Sequence, residues 1–316
     1  MNTENPFSHI GGGKRYYTQN YMLREKFGCK VIKISLNAGM TCPNLDGTKG
    51  TGGCTYCSSG SGDFAGCPAQ SVTEQFYAVK KLMNEKWSEG KYIPYFQANT
   101  NTYAPLEKIR SMTAKALSLP DVCGIAISTR PDCISEETAD YLAELSRKTY
   151  LTVELGLQTV YDETAAKINR CHTYADFLAG YKLLHDRNIN ICVHLINGLP
   201  GETHEMMLES VRKMSELKLH SIKLHLLHII KGTVMAEQYE NGEFEAMTPE
   251  DYVNTVCDQL ELLPPDVCIQ RLTGDGNRET LIAPLWSLKK FVVMNEIDKE
   301  LRRRNSWQGK KYGGQI

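Results

Sequence analysis

From residue 31 onward, short apolar runs of strand length alternate with longer segments whose apolar residues recur at helical spacing. Val31–Leu36 predicts the first strand. The segment Val72–Trp87 places Phe76, Val79, Leu82 and Met83 at the spacing of one helix face. Tyr92–Ala98 predicts a second strand, Leu106–Leu117 a second helix and Val122–Ser128 a third strand. Ser135 stands where it would cap a helix running through Tyr141 and Leu145. Leu151–Leu157 predicts the fourth strand, followed by a helix from about Tyr174 to His185. Asn190–Ile196 and Ile222–His228 predict the fifth and sixth strands, with a helix from about His204 to Leu217 between them. Thr248-Pro249-Glu250-Asp251 opens another helix, with a capping threonine and a proline in the first turn. It reaches about Leu263, and Val267–Leu272 predicts a further strand. Tyr17–Phe27 and Leu285–Arg304 predict helices near the two ends.

Six strand–helix units in series imply a parallel sheet with helices on its outside. Six falls short of the eight of a closed barrel. The expected fold is α/β, a partial (β/α)6 barrel of the TIM type over residues 30–275. A short extension, 1–29, precedes it, and a helical tail with a basic end, 276–316, follows. An open barrel is favoured over a doubly wound sheet because chemically capable residues recur at the C-terminal ends of the strands, where barrels place their sites. These are Gln97 and Asn99, Thr129-Arg130-Pro131-Asp132, Glu154 and Gln158, His194 and Asn197, then Lys223, His225 and His228. Each has an ordinary reading as well: Asp132 as a helix cap, Glu154 as the partner of a strand lysine.

Composition narrows little. The 316 residues carry a formal charge of -1, which favours no particular partner. Residues 1–14 are polar and glycine-rich, unlike a signal peptide, and no apolar run has the length to span a bilayer. A reducing cytoplasm is the expected compartment, where the 11 cysteines stay reduced or bind metal.

Three of those cysteines change the picture. Met40–Ser59 places Cys42, Cys54 and Cys57 in one loop after the first strand, with Gly47, Gly50, Gly52 and Gly53 among them. Four thiolates saturate a zinc ion or a cubane cluster, whereas three on a cubane leave one iron open. Spacing alone leaves two other readings standing: half of a zinc site completed by Cys67, and a thioredoxin-like pair. Cys123, Cys133, Cys171, Cys192, Cys257 and Cys268 are scattered without a second cluster-like spacing.

These ingredients together resemble the radical S-adenosylmethionine (radical SAM) superfamily. Its members hold a [4Fe-4S] cluster by three cysteines in the first loop of a partial (β/α)6 barrel, usually spaced Cys-x3-Cys-x2-Cys. Here the first gap is much longer, and only Cys54-Thr-Tyr-Cys57 keeps the ordinary form. The long gap, Ser128-Thr129-Arg130-Pro131-Asp132 and Glu154-Leu155-Gly156-Leu157-Gln158-Thr159 are similar to the branch near the radical SAM domain of Elongator's catalytic subunit. Gly52–Cys57, Tyr95–Ala104 and Gly198–Glu202 resemble the stand-alone bacterial YtqA/YhcC family, including the Gram-positive members called MnmL.

The resemblance implies two cofactors, a [4Fe-4S] cluster on Cys42, Cys54 and Cys57 and S-adenosylmethionine on its open iron. Cleavage of the sulfonium then yields a radical that abstracts hydrogen from carbon. It implies Gln97 and Asn99 near the methionyl amino group, where many relatives carry Gly-Gly-Glu. Arg130 falls to the methionyl carboxylate or a substrate phosphate, Glu154 and Gln158 to the ribose, and Asn197 and Gly198 to the adenine. Lys223, His225 and His228 are the substrate candidates; a zinc pair from the two histidines lacks a further ligand set.

The implied substrate is tRNA, its wobble uridine passing from 5-carboxymethylaminomethyl to 5-aminomethyl, with or without 2-thiolation. A separate methyltransferase acts next, and flavodoxin or ferredoxin is the expected electron donor. Two alternatives are a radical SAM enzyme on a small metabolite, such as a porphyrinogen, and a non-catalytic RNA-binding module stabilised by zinc. Arg302, Arg303 and Arg304, with Lys310 and Lys311, read either as cations at a helix end or as a phosphate-binding patch. Lys14-Arg15-Tyr16-Tyr17 reads either as an RNA contact or as an arm whose tyrosines pack on the core.

Overall fold

The structure, a computed structural model, describes residues 4–58, 65–85 and 90–313. Its strands are β1 (Val31–Leu36), β2 (Lys91–Phe96), β3 (Gly124–Thr129), β4 (Tyr150–Gln158), β5 (Asn190–Asn197), β6 (Ser221–Leu226), β7 (Ile229–Ile230), β8 (Cys268–Arg271) and β9 (Leu281–Ala283). Its helices are α1 (Gln19–Phe27), α2 (Val72–Asn84), α3 (Leu106–Leu117), α4 (Glu136–Lys148), α5 (Asp162–Lys167), α6 (Tyr174–His185), α7 (His204–Ser215), α8 (Val234–Glu240), α9 (Pro249–Leu262) and α10 (Lys290–Arg303). Strand order in the main sheet is β1-β2-β3-β4-β5-β6-β8, so the segment around Val267–Leu272 supplies its seventh strand. β7 and β9 pair antiparallel in a small second sheet. Trp87, expected in the first long helix, lies outside the described residues, as does Ser59.

Two compact units are distinguished. The first comprises Leu23–Leu157 and Asn169–Cys192. Here β1, β2, β3 and β4 pair in parallel, with Lys33 beside Ile93, Ser35 beside Tyr95, Tyr95 beside Ala126, and Ser128 beside Glu154. Side chains alternate faces along a strand, so Lys33, Tyr95, Ser128 and Glu154 share one face. Ile32, Ile34 and Leu36 point the other way and are buried. Phe76 of α2, which packs on β1, is fully buried, a contribution of about 1.5–3 kcal/mol. Caps set the helix starts. Ser71 with Glu74, and Thr173 with Asp176, form capping boxes on α2 and α6, and Ser135 accepts from Thr138 N to open α4.

The second unit comprises Met1–Met22, Gln158–Ile168 and Val193–Ile316. β6 and β8 pair in parallel from Ser221 beside Cys268, and a register shift after Ile222 sets Lys223 beside Arg271. The chain's two ends meet here. Tyr17 donates its N–H to Gln308 Oε1 (2.9 Å), and Gln308 N–H donates to Arg15 O (2.9 Å). The same buried amide donates to Pro264 O and Val267 O. Tyr16 is buried at 2% exposure. The expected tail helix is broken: a short 3-10 turn, Leu285–Leu288, precedes Lys289, whose ψ of 54° interrupts the path before α10.

Candidate cofactor and metal site

The cysteine loop leaves β1 and folds back on itself. Leu45 N–H donates to Cys42 O, Lys49 N–H to Pro43 O and Gly53 N–H to Asn44 O, each at 2.8 Å. Cys57 N–H donates to Cys54 O at 2.9 Å, closing the last turn. Asn99, at the end of β2 with φ 60°, donates its amide to Met40 O (2.9 Å) and fixes the loop's entry. Gly50 is required on steric grounds, because a Cβ there would lie 2.2 Å from Asn44 Oδ1 and 2.7 Å from Cys171 Sγ. Cys42, Cys54 and Cys57 are unbridged and half-buried, while Cys67 is exposed.

A segment far along the chain holds the same loop. Asn169 donates its amide to Thr51 O (3.0 Å) and Gly53 O (2.8 Å), and its own carbonyl accepts from Asn44 Nδ2 (2.5 Å). Asn44 Nδ2 also lies 3.7 Å from Cys54 Sγ. Asn169 and Cys171 both take positive φ, 52° and 57°, which turns consecutive carbonyls toward Arg130. Arg130 donates to Arg170 O (2.7 Å) and Cys171 O (3.0 Å) and grips Asp132 with both Nε (3.0 Å) and Nη2 (2.9 Å). Lys49, from the loop, pairs with Asp132 at 2.9 Å. Arg170, 1% exposed, donates to His172 O and Leu157 O.

At Cys54 burial outweighs the donors around it and leaves the thiol above its usual range. Burial pushes the Cys54 thiol up, while a hydrogen bond from the Tyr56 hydroxyl, the Arg130 charge and the Asn44 amide pull it back. Burial and the neighbouring Cys54 and Cys57 drive the Tyr56 phenol well above its usual range, so it stays a donor. Burial also pushes Asp132 up, but the bonds from Arg130 and Lys49 prevail and hold it below the usual carboxylate range. His172 is driven down to about 3 by burial and by Arg170 and Arg130. Three unbridged thiols on one loop, with an amide and a phenol directed at Cys54 and the Arg130 charge close enough to act on it, form a donor set that fits an iron–sulfur cluster.

In the first unit, Asn99 Oδ1 is buried without a hydrogen-bond partner among the described residues, an acceptor suited to an ammonium group. Gln97 is half-buried beside it in sequence. Four of the five N–H groups of Arg130 are used by Asp132, Arg170 and Cys171. Glu154 is fully buried and pairs with Lys33 (2.5 Å), whose ammonium lies 4.8 Å from the Tyr95 ring centre.

In the second unit, Gln158 has φ 65°. Asn197 exchanges two 2.8 Å hydrogen bonds with Gln259 of α9, so its amide fastens a helix. Gly198, φ 86°, has no room for a Cβ, which would meet Met247 at 2.9 Å. Lys223 is buried, His225 lies 5.2 Å ring to ring from His194, and His228 follows β6. Arg304 bonds Glu300 (2.6 Å), Asp258 (2.6 Å) and Asn254 (2.8 Å), Arg303 grips Glu300 with two N–H groups, and Arg302 is exposed. No described helix is long and apolar enough to cross a membrane.

Sequence reasoning missed Asn44, Asn169, Arg170 and Arg271, while the strand lysine expected as a partner for Glu154 is Lys33. Asn169-Arg170-Cys171-His172 was visible as a polar, chemistry-rich stretch before a capping threonine. Its contact with a loop more than a hundred positions away was not.

Residues 47–214 match the model of the radical SAM superfamily, and 219–303 match that of the Radical_SAM C-terminal domain. The chain is 51% identical over 311 residues to the uncharacterized protein YtqA of Bacillus subtilis, covering 98% of this chain and 97% of that one. It is 28% identical over 154 residues to tRNA uridine(34) acetyltransferase of Methanocaldococcus jannaschii, covering 48% of this chain and 28% of that enzyme. Among solved structures, archaeal Elp3 of Methanocaldococcus infernus superposes with a TM-score of 0.67 at 19% identity, over 88% of this chain and 64% of that one. It shares the α/β partial-barrel fold.

Proposed function

Because the chain belongs to the radical SAM superfamily, and within it to the family of YtqA, we propose that it is a tRNA-modifying radical SAM enzyme. Its reaction takes the wobble uridine side chain from 5-carboxymethylaminomethyl to 5-aminomethyl, with or without 2-thiolation. The superfamily uses a [4Fe-4S] cluster and S-adenosylmethionine, which together supply a carbon-centred radical able to take hydrogen from the carbon beside the side-chain amine.

The chain's own residues bind and orient. Cys42, Cys54 and Cys57 hold the cluster, and Asn44 and Tyr56 donate toward Cys54. Asn99 Oδ1 accepts from the methionyl ammonium, with Gln97 beside it. Arg130 sets the loop's position and adds positive charge near Cys42 and Cys54. Glu154 and Gln158 take the ribose hydroxyls. Gly198 permits close backbone approach to the adenine. Arg302 and Arg303 reach toward tRNA phosphates, flavodoxin or ferredoxin supplies the electron, and a separate methyltransferase consumes the product.

The observation that carries the substrate reading is the 154-residue match to an enzyme named for uridine 34 of tRNA. Mass spectrometry of tRNA nucleosides from wild-type and deletion strains tests it. The deletion strain is expected to accumulate 5-carboxymethylaminomethyl-2-thiouridine and to lose the aminomethyl form and its methylated product. Identical profiles, in a host with no other route to the aminomethyl form, overturn the reading and promote a small-metabolite substrate.

A further inference from the structure

The second unit carries a basic face that no cofactor role uses. Lys223 and His225 lie two positions apart on β6 and therefore share a face. An uninterrupted register would set Gln270 beside Lys223. The shift after Ile222 sets Arg271 there instead, and bulges of this kind re-aim a side chain. The His194 ring lies 5.2 Å from that of His225, tilted by 50°. His228 closes the group, its ring seated over Gly274, where a Cβ would lie 2.8 Å from Cε1.

Two features point to a ligand. The Nε2 atoms of His225 and His228 are both buried and lack hydrogen-bond partners among the described residues. A buried polar atom left unpaired costs about 1–3 kcal/mol, so two on rings near enough to influence one another electrostatically are poorly explained as packing. Both imidazoles are held neutral: burial and the charges of His194, Arg271 and Lys223 push His225 well below its usual value, and burial pushes His228 down to about 4. A neutral imidazole can present Nε2–H as a donor. Arg271 pairs with Asp275 (3.2 Å), which Lys290 also engages (2.7 Å), so one carboxylate is shared by two cations.

We propose that Lys223, Arg271, His225 and His228 form an oxyanion-binding site that holds the carboxylate of the substrate side chain. The choice of carboxylate rests on the wobble-uridine reading; the oxyanion site itself does not. A buried ammonium supplies charge, Arg271 a planar fork, and the two imidazoles neutral donors.

The test is calorimetric titration of cluster-loaded, unreduced protein with three probes: 5-carboxymethylaminomethyluridine, its methyl ester, and inorganic phosphate. The acid is expected to bind about tenfold or more tighter than the ester, as a hydrogen-bonded charge warrants. Lys223→Met and Arg271→Met are each expected to erase that preference, and Lys223→Arg to retain it. Iron content and melting temperature, measured on every variant, confirm that each is folded. Equal binding of acid and ester by the wild type, or a preference that survives both methionine variants, overturns the site while leaving the wobble-uridine reading intact. Phosphate binding that depends on Lys223 and Arg271, with neither nucleoside bound, upholds the oxyanion site and overturns that reading.

Discussion

At the residue scale, the loop that carries Cys42, Cys54 and Cys57 was legible because its glycines and thiols stand within one short stretch of sequence. Their supports were not. Alanine at Cys42, Cys54 or Cys57 is expected to abolish iron binding, whereas Cys67→Ala keeps about four irons per chain, as a cubane requires. Iron analysis of anaerobically reconstituted protein checks this; loss of iron from Cys67→Ala would reveal a fourth thiolate. Asn44 is subtler, since it joins Cys54 Sγ and Asn169 O through one amide nitrogen. Hydrogen bonds to cluster sulfur raise the reduction potential. Asn44→Ala is therefore expected to lower the midpoint by on the order of tens of millivolts, where ~59 mV is a tenfold change for one electron. Redox titration reads the shift, and an unchanged midpoint would show that the amide does not act on the cluster.

At the element scale, strands and caps followed the sequence closely because period and capping chemistry are local. Ser135, Thr248 and Pro249 stand at the helix starts where they were expected. The departures are non-local. Leu285–Arg304 has continuous helical character, yet Lys289 interrupts it. The arginine triplet reads as one patch in sequence, but the 3.6-residue turn sends its members different ways. Arg304 reaches back to Asp258 and Asn254 on α9, fastening α10, while Arg302 is exposed. Glu300 is pulled down to about 2 by Arg303 first and then Arg304. Arg304→Ala is expected to cost about 1–3 kcal/mol, because charge-assisted bonds to three partners are lost. Arg302→Ala should stay within about 0.5 kcal/mol. Thermal unfolding of the two variants distinguishes them, and equal melting temperatures would refute the fastening role. Of the three arginines, phosphate contact is accordingly a matter for Arg302 and Arg303.

At the scale of the whole molecule, strand order was readable because βα units in series leave few topologies open. The division into units was not, since it depends on which distant segments meet. The first unit includes no residue beyond Cys192, whereas the second draws on both ends, which Gln308 joins. This sets an order of events during translation. At roughly 5–20 residues per second, the stretch from Val193 to Gln308 occupies the ribosome for on the order of ten seconds. Throughout that interval the cysteine loop and its Asn169 support already exist in the nascent chain, so metal loading can begin before synthesis ends.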